Sequence, residues 1–204
     1  MTVKDILKTA AALLNLTDCA EYFAATEAVQ STEQGAAQSA AQGAEYQPSA
    51  DTLAKVDILT RLANIVITEL ASSFVPMACA EEVETSDGKI VFADLAHKIT
   101  RVLSVKNEFG HDAEFKLYPE YLKVFGGRYT LEYEYLPENY ALSDTVGFTE
   151  GKITAALLGY GVAAEYCITQ GRFEEAVLWR KRYSYGVERA VLPKNAAIKG
   201  RCWL

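Results

Sequence analysis

The apolar residues of this chain change their spacing twice, and that change limits its fold more than any motif does. Leu53, Val56, Leu59, Leu62, Ala63, Val66, Ile67 and Leu70 recur at helical intervals and make one wide apolar face. Asp51 is placed to cap this helix and Pro76 to end it. Beyond Pro76 the period falls to two. In "RYTLEYEY", Tyr129, Leu131, Tyr133 and Tyr135 share one face of a strand, while Arg128, Thr130, Glu132 and Glu134 share the other. Past Leu136-Pro137 the helical period returns. Such a chain is predicted to be α+β: a helical bundle with a small antiparallel β lobe inserted between the central helix and a C-terminal helical hairpin.

The segments follow from local signals. Residues 1–30 read as two N-terminal helices: Thr2 with Asp5 resembles a cap for the first, and Thr17 and Asp18 start the second. Residues 31–50, "STEQGAAQSAAQGAEYQPSA", hold almost no large apolar side chain and read as a flexible Ala/Gln-rich loop. Residues 51–80 and 145–191 form the helical body, and residues 81–136 the β lobe. In that lobe Asp87-Gly88 joins "EEVETS" to "KIVFA" as a hairpin. Ile99, Arg101, Leu103 and Val105 alternate with Thr100, Val102 and Ser104, and Gly126-Gly127 turns "YLKVF" into "RYTLEYEY". One sheet with one covered face is expected. Thr149 can cap the next helix, with Ile153, Leu157, Tyr160, Ala164 and Ile168 on its apolar stripe. Gly171 breaks it, and Phe173, Ala176, Trp179, Tyr183, Val187 and Ala190 continue on a second helix. Residues 192–204 form a basic tail.

Charge narrows the function classes. The net charge of -7 gives no general pull toward nucleic acid or anionic membrane. It is unevenly spread: residues 1 to 149 carry 11 Lys/Arg against 22 Asp/Glu, and residues 150 to 204 carry 9 against 5. A bipolar chain can stack head to tail on copies of itself, though a solvated helix face accounts for the same residues. The four cysteines form no C-x-x-C pair, so neither a zinc site nor a disulfide framework is indicated. Asp5 and Lys8 interrupt the N-terminal apolar run, and Ile153 to Ala164 is too short to span a bilayer. A soluble, non-secreted protein with no membrane partner is expected.

Gly159-Tyr160-Gly161-Val162-Ala163-Ala164 fits the spelling of a dinucleotide-binding loop, G-x-G-x-x-G/A. The context does not fit. Such a loop follows a buried strand and precedes an acidic residue about twenty positions on, whereas these glycines lie inside a helical pattern and are followed by Trp179, Arg180 and Lys181. We therefore expect no cofactor. Antiparallel hairpin geometry about Gly171 places Trp179 near Val162 and Tyr183 near Leu158. Gly159 and Gly161 then act as helix-packing residues that let Trp179 and Tyr183 approach closely.

No other cluster supplies a nucleophile, a base and an oxyanion site together. Cys167 needs a basic neighbour, and the two histidines, His97 and His111, lie in the β lobe. Glu132 and Glu134 resemble a carboxylate pair, but Arg128 and Lys116 are available to neutralise them. Glu81, Glu82 and Glu84 lack the glycine and spacing of a calcium loop. Arg180, Lys181 and Arg182 are consecutive on a helix and cannot share one face, which suits partner-facing or solvated charge. No catalytic residue, metal site or cofactor is assigned.

The stretches "ITELASSFVPMACAEEVETSDGKIVFADL", "YTLEYEYLPE" and "YGVAAEYCITQGRFEEAVLWRKRYSYGVERA", spanning residues 51 to 191, resemble the head-to-tail connector, or neck and adaptor, proteins of tailed bacteriophages. In that family a helical bundle bears a small β lobe, and copies form a ring beneath the portal. The resemblance is carried by Tyr160 to Tyr166, Gly171, and Glu174 to Tyr183. It implies a structural, non-enzymatic virion protein at the neck, made in the host bacterial cytoplasm. Its partners would be the portal and the tail or stopper proteins, with self-association into a cyclic ring and DNA passing without specific binding. By the same analogy Arg180, Lys181, Arg182, Lys199, Arg201 and Trp203 are interface candidates. The Ala/Gln-rich segment departs from the family pattern. A non-viral helical interaction module and, third, a small-molecule enzyme are the alternatives.

Overall fold

In the computed structural model, which describes residues 1–32, 47–148 and 152–191, the chain opens on a capping box. The Thr2 hydroxyl accepts the Asp5 amide (3.2 Å) and the Asp5 carboxylate accepts the Thr2 amide (2.8 Å), so two otherwise unpaired donors at the start of α1 (Val3–Leu13) are satisfied. Helix α2 (Thr17–Thr32) follows. Helix α3 (Ala50–Ser73) is capped by the Ser49 hydroxyl, which accepts the Thr52 amide at 3.1 Å. Asp51, expected as the cap, instead sits in the first turn and pairs with Lys55 at 2.8 Å. The buried face of α3 runs from Val56 to Leu70 as expected, except that Thr52 is buried in place of Leu53, which is exposed.

The β lobe lies between α3 and the closing hairpin, and it contains two three-stranded sheets where one was expected. Strands β1 (Met77–Thr85), β6 (Gly127–Tyr135) and β3 (Ile99–Asn107) form one, with β6 central; β2 (Lys89–Val91), β5 (Tyr121–Lys123) and β4 (Lys116–Leu117) form the other, with β5 central. The Asp87-Gly88 turn is present, yet β1 and β2 do not pair as a hairpin. The Thr85 hydroxyl and the Asp87 carboxylate both accept the Lys89 amide (3.0 and 3.1 Å), so side chains consume the donor that would begin a ladder. Strand β1 pairs along its length with β6, from Met77 opposite Tyr135 to Thr85 opposite Gly127. Gly126-Gly127 is accordingly a crossover between sheets. In β3, register shifts between Ile99 and Arg101 and between Val102 and Ser104 break the expected alternation, leaving Leu103 exposed and Val105 buried.

Each part has its own apolar core. Ile90, Val105, Leu122, Val124, Tyr129, Leu131 and Tyr133 fill the lobe, so the expected inward face of β6 holds. The larger core joins all five helices with Met77 and Val146, and Tyr135 packs against both clusters. The connection leading out of the lobe is tied to the helices by its backbone: Val3 and Lys4 donate to the Asp144 and Leu142 carbonyls (3.0 and 3.2 Å), and Val146 donates to Met1 (2.8 Å).

Helix α4 (Ala155–Thr169) is capped by Thr154, which accepts the Leu157 amide at 3.3 Å; Thr149, the expected cap, lies outside the described residues. It packs against α1, α3 and α5 (Phe173–Val191) and buries residues on almost every side. Its mean hydropathy is high because no face meets much water. At its end Gly171 takes φ +71°, donates to Ile168 (3.0 Å), and lets Arg172 donate to Cys167 (2.8 Å). This Schellman closure is why the hairpin turns at a glycine. Within the Ala/Gln-rich segment, residues 33–46 lie outside the described residues, as does the tail from Leu192.

Candidate functional site

The three helices that meet α4 do so through positions without a side chain. A Cβ added to Gly159 would stand 3.0 Å from Thr9 Cγ2 of α1, and one added to Gly161 would stand 2.7 Å from Val66 Cγ1 of α3 and 3.1 Å from the Tyr183 ring of α5. The expected role of the two glycines is thus corrected in part. Gly161 does admit Tyr183, while Gly159 admits α1 rather than α5. The facing pairs lie within a few residues of the hairpin arithmetic: Trp179 stacks on Tyr160 (5.8 Å between centroids, 11° between planes), two positions before Val162, and Tyr183 lies over Gly161, three positions after Leu158. Gly186 of α5, not singled out in the sequence, makes the reciprocal contact: an added Cβ would stand 2.4 Å from Leu157 Cδ1.

The three consecutive cations of α5 go three ways, as helical geometry requires. Arg180 turns inward to Glu165 of α4 (3.1 Å) and Glu69 of α3 (3.8 Å), bracing three helices at the surface. Arg182 lies 5.0 Å from the Trp179 ring centroid and 5.9 Å from that of Tyr160, a cation–π contact with both rings of the stacked pair. Lys181 is exposed. It belongs to a ridge in which Phe173, Val177, Lys181 and Tyr185 follow one another at four-residue steps. Phe173, Val177, Tyr185 and the adjacent Leu178 are between 59% and 65% exposed. Phe173 was expected on the inner stripe; it faces outward because the inner positions Ala176, Tyr183, Val187 and Ala190 already fill the contact with α4. Arg189 extends the ridge, its guanidinium donating to the Tyr185 hydroxyl at 3.2 Å. A shallow groove of about 500 Å³ runs beside it, lined by Val177, Arg180, Lys181, Ser184, Tyr185 and Glu188. Lys199, Arg201 and Trp203 lie outside the described residues.

The candidate reactive groups are occupied structurally. Cys167 is buried in the helical core, and burial pushes its thiol up, opposite to the shift a thiolate nucleophile needs. Glu132 is neutralised by Lys106 (2.8 Å) and accepts a hydrogen bond from the Ser104 hydroxyl (2.7 Å), while Arg128 reaches Glu84 instead (3.5 Å). The Lys106 hydrogen bond, then Ser104, holds the Glu132 carboxyl below its ordinary range. Glu81 accepts from the Tyr133 hydroxyl (2.9 Å) and the Ala96 amide (3.2 Å). Among the described residues no group of three His, Cys, Asp or Glu side chains is placed to hold a metal ion, and no helix is long and apolar enough to cross a membrane.

No protein-family model matches the chain, and a search of curated proteins finds no match. The geometry alone therefore bears on the site. Its distinctive feature is the α5 ridge, which sequence reasoning read through its charges and missed through its apolar members. The signal was available as the four-residue recurrence from Phe173 to Tyr185.

Proposed function

We propose that this protein is a structural component of a tailed-bacteriophage virion, one copy of a head-to-tail connector ring that joins the portal to the tail machinery. The observation that supports this reading most is the ridge of α5. A helix already anchored by one face presents Phe173, Val177, Leu178 and Tyr185 on the other, interleaved with Lys181 and Arg189, which is the surface of a helix suited to pack against a further partner. The β lobe offers a different apolar surface, with Phe109, Leu117 and Phe125 exposed. Two unlike patches on one chain favour heterologous contacts between copies, the kind that closes into a ring. The acidic balance of the chain would let DNA pass along a channel without adhering. On this reading the protein is made in the host bacterial cytoplasm, acts at the virion neck and catalyses nothing.

The test mixes purified protein with purified portal rings and examines the particles by electron microscopy. Wild type should add a ring of density to the portal. The double variant Val177→Asp/Tyr185→Asp should remain helical by circular dichroism and add none. Wild type that decorates no portal under any condition, or a double variant that decorates as well as wild type, would overturn the reading.

A further inference from the structure

The irregular register of β3 turns one apolar side chain out of the lobe core. Where β3 shifts against β6 between Val102 and Ser104, Leu103 stands 45% exposed. It lines a groove of about 290 Å³ together with the ends of two helices: Phe74, which follows α3 and is 47% exposed, and Val191, the last residue of α5, 44% exposed. Pro76 and Ala78 complete the apolar wall. Scattered single apolar side chains on a surface are ordinary, but these converge from three separate elements. Glu134 of β6 forms the polar edge. Arg101 stands opposite Glu134 in register, yet among the described residues no ion pair reaches the Glu134 carboxylate.

The occupant follows from where α5 ends. Lys152 Nζ donates to the Arg189 and Ala190 carbonyls (3.0 and 3.4 Å), and Val187 and Ala190 are buried, so the last turn is fixed at the rim of the groove. The sequence continues from Val191 as "LPKNAAIK". Pro193 cannot continue a helix and biases Leu192 toward extended backbone, which directs the chain off the α5 axis beside the groove. Leu192 and Ile198 bring apolar side chains and Lys194 a cation, the chemical complement of the groove and of Glu134. Their tether to Val191 is short, so they meet the groove at high effective concentration and with little loop to close. The Ala/Gln-rich segment joins α3 at its opposite end, about 36 Å away along a 24-residue helix. The groove also falls below the range of roughly 300–1,000 Å³ usual for small-molecule sites. We propose that it is the intramolecular docking site of residues 192–198, with Leu192 and Ile198 against Phe74 and Leu103 and the Lys194 ammonium on the Glu134 carboxylate. The proposal does not rest on the connector reading.

The test is nuclear magnetic resonance on the full chain with labelled methyl groups. Nuclear Overhauser effects should connect the Leu192 and Ile198 methyls to the Phe74 ring and the Leu103 methyls. Backbone order parameters from Leu192 to Ile198 should stand at about 0.85, the rigid value, where a free tail gives less than about 0.6. Ile198→Asp should abolish these effects, shift the Phe74 and Leu103 resonances and lower the order parameters, with the circular dichroism spectrum unchanged. Lys194→Glu should weaken the same contacts, and Glu134→Lys added to it should restore them, a recovery that a merely apolar contact would not show. Order parameters below about 0.6 in wild type, or no Overhauser effect between tail and groove, would overturn the proposal. So would effects seen only between differently labelled copies, which would seat a second copy in the groove.

Discussion

Val66 Cγ1 of α3 lies 2.7 Å from the position that a Cβ would occupy on Gly161 of α4. No real pair of carbons sits that close, and Val66 is stiff at χ1, so it cannot swing aside. The Tyr183 ring blocks the other side at 3.1 Å. Replacing a mid-helix glycine by alanine ordinarily gains about 1 kcal/mol, but overpacking costs about 1–3 kcal/mol. Gly161→Ala should therefore lower stability by up to about 2 kcal/mol in urea unfolding, and Val66→Ala added to it should recover part of the loss. A higher melting temperature for Gly161→Ala would disprove the close contact.

Tyr183 sits with its ring in that contact and its hydroxyl buried without a partner among the described residues. Burial first, then the Glu69 charge, pushes its ionisation far above the ordinary tyrosine value. An unsatisfied buried hydroxyl is a liability that phenylalanine lacks. Tyr183→Phe should raise unfolding free energy by about 1 kcal/mol, and one fewer high-pH tyrosine should appear in an alkaline absorbance titration. A variant less stable than wild type would mean that the hydroxyl has a partner.

Asp5 links the start of α1 to pH. Its carboxyl is held below the ordinary range, chiefly because it accepts the Thr2 backbone amide, which outweighs the opposing effect of burial, with a lesser contribution from the Thr2 side chain. A depressed folded-state pKa means stability that is present above the unfolded value and lost as pH falls through the folded one. Asp5→Asn should cost a few tenths to about 1 kcal/mol at neutral pH. The difference from wild type should close as pH drops below about 4. Urea midpoints measured at descending pH check this, and a constant gap across the range would contradict it.

Asn64 clips the connecting loop to α3 through both ends of its amide. Its Oδ1 accepts the Tyr140 amide (2.8 Å) and its Nδ2 donates to the Tyr140 carbonyl (3.1 Å), across 76 residues of chain. Asn64→Ala leaves both backbone groups unpaired in a half-buried place, at a cost of about 1–3 kcal/mol. Hydrogen exchange at Tyr140 should accelerate in the variant far more than exchange within α4. Unchanged protection at Tyr140 would show that the clip holds nothing.

Neighbouring residues decided what was legible. The capping box at Thr2 and Asp5, the turn at Asp87-Gly88 and the glycine closure at Gly171 each involve atoms a few residues apart, so the signal is local and survived. The inner face of α3 and the inner face of β6 were legible because period alone shows that a face is covered. Period does not show what covers it. The hairpin expected between β1 and β2 failed because Thr85 and Asp87 took the Lys89 amide, while β1 found β6 at separations of about forty to sixty residues.

The amino-acid sequence by itself determined the α+β order, the helix-forming segments and the place of Gly159 to Ala164 inside a helix, since each depends on spacing and near neighbours. Only the tertiary structure decided that Gly159 meets Thr9 and that Gly161 meets Val66 and Tyr183. Those outcomes depend on which faces of separate elements meet, and the free energy of such meetings belongs to no single stretch of chain.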